Sequence, residues 1–216
     1  MSPKVTGSLL IAAAVLANLA FTALGSLFNY PDVLDEPAGE VLRSFRAHEG
    51  AVSAWFSVLA LSAALFAPIA IGVRRLSAAP AMRIAVWVGI AAAVVQVIGL
   101  LRWPILVPGY AADGNADAFR TASDILGTAI GETLGYALTA AWTLLVLRAL
   151  GRAFAGTWFV ALGTVAAGLV AVGVISPLDL PVVDDANFIG YVLWSLWLIA
   201  FGVVLLVRGR RAVAAP

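Results

Sequence analysis

Six stretches of this chain are each long and apolar enough to cross a lipid bilayer, and they leave few other folds open to it. A helical crossing needs about 20 consecutive apolar residues. Only 12% of the residues are charged, whereas soluble domains are nearer about 25%. We therefore predict one all-α integral membrane domain over residues 1–216, a polytopic bundle of six transmembrane helices. The six runs are Val5–Tyr30, Gly50–Val73, Ile84–Val107, Ile125–Leu147, Ala153–Leu178 and Ala186–Val207.

The charged residues set the expected orientation. With the N-terminus inside, nine of the 13 basic residues lie on the inner side, Arg210 and Arg211 among them, and all 12 acidic residues, Asp179 included, lie in the outer half. The positive-inside rule then predicts that both termini are cytoplasmic. A formal net charge of +1 gives no field that would attract nucleic acid. The chain has no cysteine, which excludes disulfides and thiolate chemistry.

The outer connections carry predicted helices of their own. In the first, Asp35 and Pro37 suit the start of a helix, which would lie on the membrane surface or cover the mouth of the bundle. Its apolar positions recur at helical spacing: Ala38, Val41, Leu42 and Phe45. In the second connection, we expect a helix to begin near Asn115 and run into the fourth span, with Phe119 at the interface.

An internal repeat links the fourth and sixth spans. Residues 132–142 read ETLGYALTAAW and residues 187–197 read NFIGYVLWSLW, which match at a glycine, a tyrosine, a leucine and a tryptophan without gaps. Pro31, Pro104 and Pro177 recur at a spacing of 73 residues, and Pro108 and Pro181 also match. We infer three tandem helical hairpins in parallel orientation. For the first hairpin, coincidence is the alternative, because proline is common at the ends of spans.

Two apolar runs each carry a charge that lipid would exclude. Arg102 ends an uncharged stretch in Ile84–Val107, and Glu132 is the only charge in Ile125–Leu147. A charge at the centre of a membrane helix costs about 2.5–3.5 kcal/mol or more. Consecutive antiparallel helices would bring both charges to similar depth, where each offsets part of the other's cost. We expect a coupled pair, which is either a structural ion pair that fixes register or a ligand or proton site.

Other polar and small residues surround this pair in the sequence. The run from Gly127 through Gly131 to Gly135 is a doubled G-x-x-x-G, which allows close helix approach. Tyr30 is assigned to the aromatic belt at the membrane interface. Gln96 is a candidate ligand contact or a polar link between helices. The full candidate ligand-binding set is Arg102, Glu132, Tyr136, Tyr191, Asn187, Trp103, Gln96, His48 and Glu49.

His48 and Glu49 open the second span on the same outer side. A metal site made by these two residues and Glu132 is considered but not predicted, because adjacent helical residues point about 100° apart and ligands are few. No nucleophile elbow or phosphate-binding loop is present. We therefore predict no catalytic residue and no metal site, and the sequence identifies no cofactor.

Four segments carry a resemblance to a known family. FNYPDVLDEPAGEVL, GLLRWPILVP, GETLGYALTAAW and NFIGYVLWSLW are similar to segments of a family of small bacterial multi-pass membrane proteins that is described only as a domain of unknown function. Together they touch all three hairpins. The resemblance implies a six-span topology in the bacterial cytoplasmic membrane, and it implies no activity.

Three classes of function remain open. The first is binding of a small molecule or an ion, with transport as an extension, through an outward-facing polar pocket around Arg102 and Glu132. The alternative is a membrane-embedded interaction or regulatory subunit without ligand chemistry, whose acidic outer loops or basic C-terminus engage a protein partner. The third is a membrane enzyme that modifies lipid. A pocket that reaches the charged pair favours the first, and a filled bundle with an exposed small-residue face favours the second.

Overall fold

The computed structural model describes residues 1–178, 180 and 182–214, and all secondary structure in this part is helical. Asp179 and Pro181, and the side chains of Arg210 and Arg211, lie outside the described residues. Each of the six spans overlaps one predicted run, which confirms the all-α, six-span bundle of a multi-pass integral membrane protein. The spans are Pro3–Phe28, Glu49–Leu76, Pro80–Asp113, Ala116–Ala155, Thr157–Leu178 and Val183–Arg208.

Several spans are built from more than one helix. A π-helix, Ser123–Leu134, joins α7 to α8 and is called the π segment below. Short 3₁₀ helices occupy Asp32–Asp35, Arg74–Leu76 and Gly173–Leu178. The α-helices are α1 Pro3–Phe28, α2 Ala38–Ala47, α3 Glu49–Ala64, α4 Phe66–Val73, α5 Pro80–Ile105, α6 Val107–Asp113, α7 Ala116–Ala122, α8 Gly135–Ala155, α9 Thr157–Val172 and α10 Val183–Ala214.

The six spans form a closed ring. Each span packs against the next along the chain, and α1 packs against α10. The α1–α10 contact is close, because a Cβ on Gly7 would lie 2.7 Å from the Gly202 carbonyl oxygen. Between α3 and α1, Ser62 Oγ donates a hydrogen bond to the Ala13 carbonyl oxygen at 2.9 Å. Large apolar side chains are exposed on the outside of the ring, such as Trp87 at 74%, as contact with the lipid bilayer requires.

Helix α2 covers one end of the ring. The predicted apolar stripe of this helix is its buried face: Ala38, Val41, Leu42 and Phe45. The Phe45 ring packs against Phe28 and Trp103, with centroids 6.4 and 6.0 Å apart. Helix α2 also contacts α6 and α7. The predicted loop helix is thus confirmed and covers the mouth of the bundle, and the end formed by α2, α6 and α7 is called the capped end.

The predicted helix starts in the outer connections are correct in one case and wrong in the other. The side chain of Asn115 accepts a hydrogen bond from the Ala118 backbone N–H at 3.1 Å and caps α7. In contrast, Asp35 does not cap α2. It ends a 3₁₀ helix, and Pro37 occupies the N-cap position with no side-chain hydrogen bond. The chain turns out of the 3₁₀ helix before α2 begins, so the Asp35 carboxylate is not at the first turn of α2.

Matching contacts in the second and third hairpins support the inferred repeat. Trp142 of α8 packs on Gly89 of α5, where a Cβ would lie 2.8 Å from Trp142 Cδ1. The equivalent Trp197 of α10 packs on Gly163 of α9, where a Cβ would lie 2.7 Å from Trp197 Nε1. Both indoles are fully buried, and their rings contact each other at 6.0 Å in an edge-to-face arrangement. Each hairpin therefore places its repeated tryptophan on a glycine of its own preceding helix.

The repeated glycines behave in the same way. Gly135 of α8 packs against Gln96 of α5, and Gly190 of α10 packs against Val170 of α9. A Cβ at either glycine would lie 3.0 Å or less from its neighbour. Small residues at these points let the two helices of a hairpin approach closely. The sequence match between the two hairpins thus reflects the same packing.

Candidate functional site

Three glycines bring the fourth span into close contact with α5. A Cβ on Gly99 would lie 2.7 Å from the Cα atom of Gly131, so the two backbones touch. The predicted close approach through G-x-x-x-G is confirmed. From the capped end inward, the paired positions are Gly127 with Arg102, Gly131 with Gly99, and Gly135 with Gln96.

The fourth span does not follow the expected continuous α-helix. Its half nearer the capped end, Ser123–Leu134, is a π-helix of 12 residues, and α-helical geometry begins at Gly135. π-Helices are rare, are usually single turns, and occur frequently at functional sites. Gly127, Gly131 and Glu132 all lie in this π segment. Glu132 therefore sits on a π-helix and not on a regular α-helical face.

Arg102 is buried in the bundle with only 5% of its surface exposed. Its Nη1 donates a hydrogen bond to the Gly99 carbonyl oxygen at 2.6 Å, while its buried Nε has no partner within the described residues. The guanidinium lies on the bare backbone of Gly127, where a Cβ would be 2.7 Å from Arg102 Cζ. Its Cζ is also 5.3 Å from the centroid of the Trp103 ring. A permanent positive charge is thus held inside the bundle with part of its hydrogen-bonding capacity unused.

Arg102 and Glu132 do not form a contact ion pair in the described part of the chain. The ion pairs recorded there within 4.0 Å are Arg43–Glu40 and Arg120–Asp117, both on exposed side chains. Arg102 and Glu132 nevertheless lie in one region, because the Arg102 guanidinium packs on Gly127 and the residue before Glu132, Gly131, packs on Gly99. The two charges therefore share one region of the bundle but remain separate.

Three tyrosines lie in the same region of the bundle as Glu132. Tyr136 and Tyr191 contact each other with ring centroids 5.6 Å apart and planes inclined by 61°. Tyr30, two residues beyond the end of α1, lies within electrostatic range of both Arg102 and Glu132. Burial raises the pKa of the Tyr30 hydroxyl, and the Glu132 charge raises it further, so this hydroxyl stays protonated. The name polar cluster is used below for five residues: Tyr30, Arg102, Glu132, Tyr136 and Tyr191.

Exposure varies within the polar cluster. Glu132 and the three tyrosines are half-buried, whereas Arg102 is almost fully buried. Asp184, which is exposed near the start of α10, adds a negative charge within range of Glu132. The acidic and aromatic side of the cluster is therefore nearer the protein surface than its basic side.

Two predicted site residues act as links between helices. Gln96 Nε2 donates a hydrogen bond to Thr139 Oγ1 at 3.0 Å and joins α5 to α8. Asn187 Nδ2 donates to the Val170 carbonyl oxygen at 2.9 Å and joins α10 to the last turn of α9. Such interhelical bonds satisfy polar groups that lipid would leave unpaired. The structure thus gives both amides a structural role next to the polar cluster.

The remaining predicted residues lie apart from Glu132 or in the core. Trp103 is fully buried and stacks on Phe56 with centroids 4.6 Å apart, although its Nε1 has no partner in the described region. His48 and Glu49 are exposed where α2 meets α3. Among the described residues, no three His, Asp or Glu side chains are grouped so that they would hold a metal ion. The structure therefore does not bring His48 and Glu49 together with Glu132.

Tyr30 is the member of the polar cluster that sequence analysis did not select. It was assigned to the interfacial belt, yet it lies within electrostatic range of Arg102 and Glu132. A signal was present, because the residues before the three prolines spaced by 73 residues are Tyr30, Trp103 and Ser176. Ser176 Oγ donates a hydrogen bond to Asp184 Oδ1 at 2.6 Å. The repeat thus marks positions near the same end of the bundle.

Two grooves on the protein surface lie elsewhere. One, of about 240 Å³, runs between α1 and α10 and is lined by Asn18 and Ser195 among apolar side chains. The other, of about 290 Å³, is bounded by Trp158 and Arg208. Neither groove is lined by a member of the polar cluster.

Comparison with known families gave one match. A family model described as Domain of unknown function (DUF4386) matches residues 5–202. The matched region contains all five members of the polar cluster. Comparison with curated proteins and with solved structures gave no match.

Proposed function

The chain belongs to the DUF4386 family, and we propose that it binds a small molecule or an ion at the polar cluster inside its membrane bundle. The observation that carries this proposal is the state of Arg102. Its charge is buried, its Nε is unpartnered, and its contact partners within the described residues include no carboxylate. Buried charges are costly unless they are paired and hydrogen-bonded. A bound ligand would supply the missing partner.

The exposure of the cluster supports a path for such a ligand. Glu132 and the tyrosines reach the surface, and Arg102 lies behind them. Further along α8 and α10, Trp142 and Trp197 are fully buried and fill the ring. We propose that the ligand enters from the capped end, which the distribution of basic residues assigns to the outside. Transport would further require the layer that contains the two tryptophans to open.

Cysteine labelling tests access to the site directly, because the natural chain has no cysteine. Glu132→Cys and Tyr136→Cys should each react with a small, membrane-impermeant thiol reagent added to intact cells. The matched control is Thr143→Cys, which lies on the same helix as Tyr136 but is fully buried. This control should remain unlabelled under the same conditions.

A positive control is needed to interpret an absence of labelling at the two cluster variants. Asp113 is exposed at the capped end, so Asp113→Cys should be labelled in every preparation. If Asp113→Cys reacts and neither cluster variant does, the proposed binding site is rejected. Labelling of Asp113→Cys only in inside-out vesicles would instead reverse the proposed orientation.

A second candidate function has its own observation. Asn18, Thr22 and Ser26 are exposed along one face of α1, and among the described residues each donates a hydrogen bond only to its own helix backbone. Polar side chains that face lipid are costly, and they favour contacts between membrane helices. This face would suit an interaction subunit. Asn18→Cys should then form crosslinks in native membranes more readily than Val94→Cys, which is exposed on α5.

A further inference from the structure

We infer that the ligand of the polar cluster is a small zwitterion, with a methylated ammonium group on the Glu132 side and a carboxylate on the Arg102 side. The inference rests on the proposed function and names its ligand class. The geometry behind it is one region of the bundle that contains a buried cation and an acidic residue, with no contact ion pair between them among the described residues and with aromatic rings beside the acidic residue. Each half of such a ligand finds a matching surface in the cluster.

The Glu132 side matches a bulky ammonium group. The rings of Tyr136 and Tyr191 contact each other edge to face, with centroids 5.6 Å apart and planes inclined by 61°, and Tyr30 lies within electrostatic range of the carboxylate. Aromatic faces attract cations, and cages of such rings recognise quaternary ammonium groups. Glu132 supplies the opposite charge, and the exposed Asp184 adds a second negative charge nearby. Together these groups favour a cation of low hydration.

The Arg102 side matches a carboxylate. Guanidinium groups bind carboxylates through parallel N–H donors. Here the guanidinium has one backbone acceptor, the Gly99 carbonyl, and its Nε remains unpartnered. Because Gly127 has no side chain, the guanidinium packs directly on the backbone of the π segment. A carboxylate would provide the acceptors that the surrounding protein does not.

The separation of the two charges favours a zwitterion over a simple ion. A lone anion at Arg102 would face the negative charge of Glu132, and a lone cation at Glu132 would face Arg102. In a region of low dielectric constant, each arrangement leaves one buried charge uncompensated. A zwitterion satisfies both charges and adds no net charge to the membrane interior.

Three probes of closely related shape test the inference on the purified, full-length protein in detergent. The first is glycine betaine, which carries both charges. The second is 3,3-dimethylbutanoate, in which carbon replaces the ammonium nitrogen, and the third is choline, which lacks the carboxylate. Isothermal titration calorimetry should give a Kd for glycine betaine at least about tenfold lower than for either of the others. This comparison uses the natural chain and does not depend on the folding of a variant.

Two variants then assign each charge to its side chain. Glu132→Gln should weaken glycine betaine and choline by about tenfold or more while leaving 3,3-dimethylbutanoate unchanged or bound more tightly. Arg102→Lys should weaken glycine betaine and 3,3-dimethylbutanoate but not choline, because lysine lacks the planar fork of donors. Asp113→Asn, which removes an exposed acidic group outside the cluster, should change none of the three.

The outcomes separate this inference from the proposed function. If 3,3-dimethylbutanoate or choline binds as tightly as glycine betaine, and Glu132→Gln or Arg102→Lys alters that binding, the site stands and the zwitterion is rejected. The zwitterion is also rejected if no probe binds while Glu132→Cys is labelled from the capped end. If no probe binds and Glu132→Cys is not labelled beside a reactive Asp113→Cys, both proposals fail.

Discussion

The second hairpin runs from α5 to α8, and the third is formed by α9 and α10. Both hairpins pack their helices in the same way, but they carry different polar residues. Glu132 in the second hairpin and Asn187 in the third hold equivalent positions in the repeat. Asn187 is buried and donates its amide to the Val170 carbonyl oxygen. Glu132 forms no side-chain hydrogen bond or ion pair within the described residues. At this position of the repeat, the neutral Asn187 links two helices, whereas the charged Glu132 forms no such link among the described residues and remains available to a ligand.

The two hairpins also differ at the residue two positions before the prolines that recur every 73 residues. Arg102 occupies this place in the second hairpin and Ile175 in the third. Only the second hairpin therefore carries both a buried cation and an intramembrane acid. It is also the hairpin that contains the π segment. The two charges and the π segment therefore occur in the same hairpin. The charged residues of the candidate site belong to the second hairpin, although the two hairpins are otherwise similar.

The second and third hairpins contact each other at the polar cluster. Tyr136 of α8 and Asn187 of α10 both cover the backbone of Gly173, which follows α9. Tyr136 then contacts Tyr191 of α10. The neutral hairpin therefore supplies one wall of the site whose charges belong to its partner. Any change that separates the hairpins should disturb the cluster as well.

The largest expected effect comes from removing one charge of the second hairpin. Glu132→Leu leaves Arg102 buried without compensation, and a guanidinium cannot lose its charge at neutral pH. Breaking a buried contact ion pair typically costs about 3–5 kcal/mol, and this range is the upper limit for these two charges, which are not in contact among the described residues. Arg102→Leu should cost less, because the half-buried Glu132 carboxyl can take up a proton. Thermal unfolding in detergent measures both losses.

The double change tests whether the two charges interact. Arg102→Leu combined with Glu132→Leu removes both charges, so the double variant should be more stable than Glu132→Leu alone. The cycle should give a coupling free energy of about 1 kcal/mol or more. Simple additivity of the two losses would show that Arg102 and Glu132 do not form a coupled pair.

The next effect tests the feature that both hairpins share. Gly99→Ala and Gly190→Ala each place a Cβ less than 3.0 Å from the backbone of a neighbouring helix. Overpacking of this kind typically costs about 1–3 kcal/mol. Gly168→Ala is the matched control, because a Cβ on Gly168 of α9 meets no atom within 4 Å. If Gly168→Ala lowered the unfolding temperature as much as the other two variants, the packing described for both hairpins would be contradicted.

The sequence predicted the parts of this molecule that depend on simple periodic patterns. The apolar runs, the stripe of α2 and the Asn115 cap follow from local rules, and the structure contains all three. The close contact at Gly131 also followed from a spacing rule. Each of these signals lies within a short window of the chain, where the side chains themselves determine the local geometry.

The polar cluster was predicted less completely, for physical reasons. Arg102 and Glu132 were selected because lipid makes any charge conspicuous. Tyr30 was missed because its neighbours in the cluster come from spans distant in the chain. The π segment was missed because no known pattern distinguishes it from an α-helix. Asn187 looked like a ligand contact from the repeat, and only the structure shows that its amide bonds to Val170.

A smaller effect is expected where the third hairpin uses its neutral link. Asn187→Leu removes a buried hydrogen bond and leaves the Val170 carbonyl oxygen without this donor. The expected loss is about 1–2 kcal/mol of unfolding free energy. Asn18→Leu is the control, since Asn18 is exposed and donates only within its own helix. A loss at Asn187 no larger than that at Asn18 would remove the structural role given to this link.

The smallest effect concerns a neutral link in the second hairpin, between Gln96 and Thr139. Gln96 Nε2 lies 3.0 Å from Thr139 Oγ1, and interhelical hydrogen bonds in membranes average about 0.6 kcal/mol in double-mutant cycles. The cycle formed by Gln96→Leu and Thr139→Val should therefore give a coupling near that value, below the one for Arg102 and Glu132. A coupling larger than that of the charged pair would mean that a neutral bond, rather than the charges, holds the second hairpin together. The contrast with the third hairpin would then disappear, because both units would depend on amide links of the same kind.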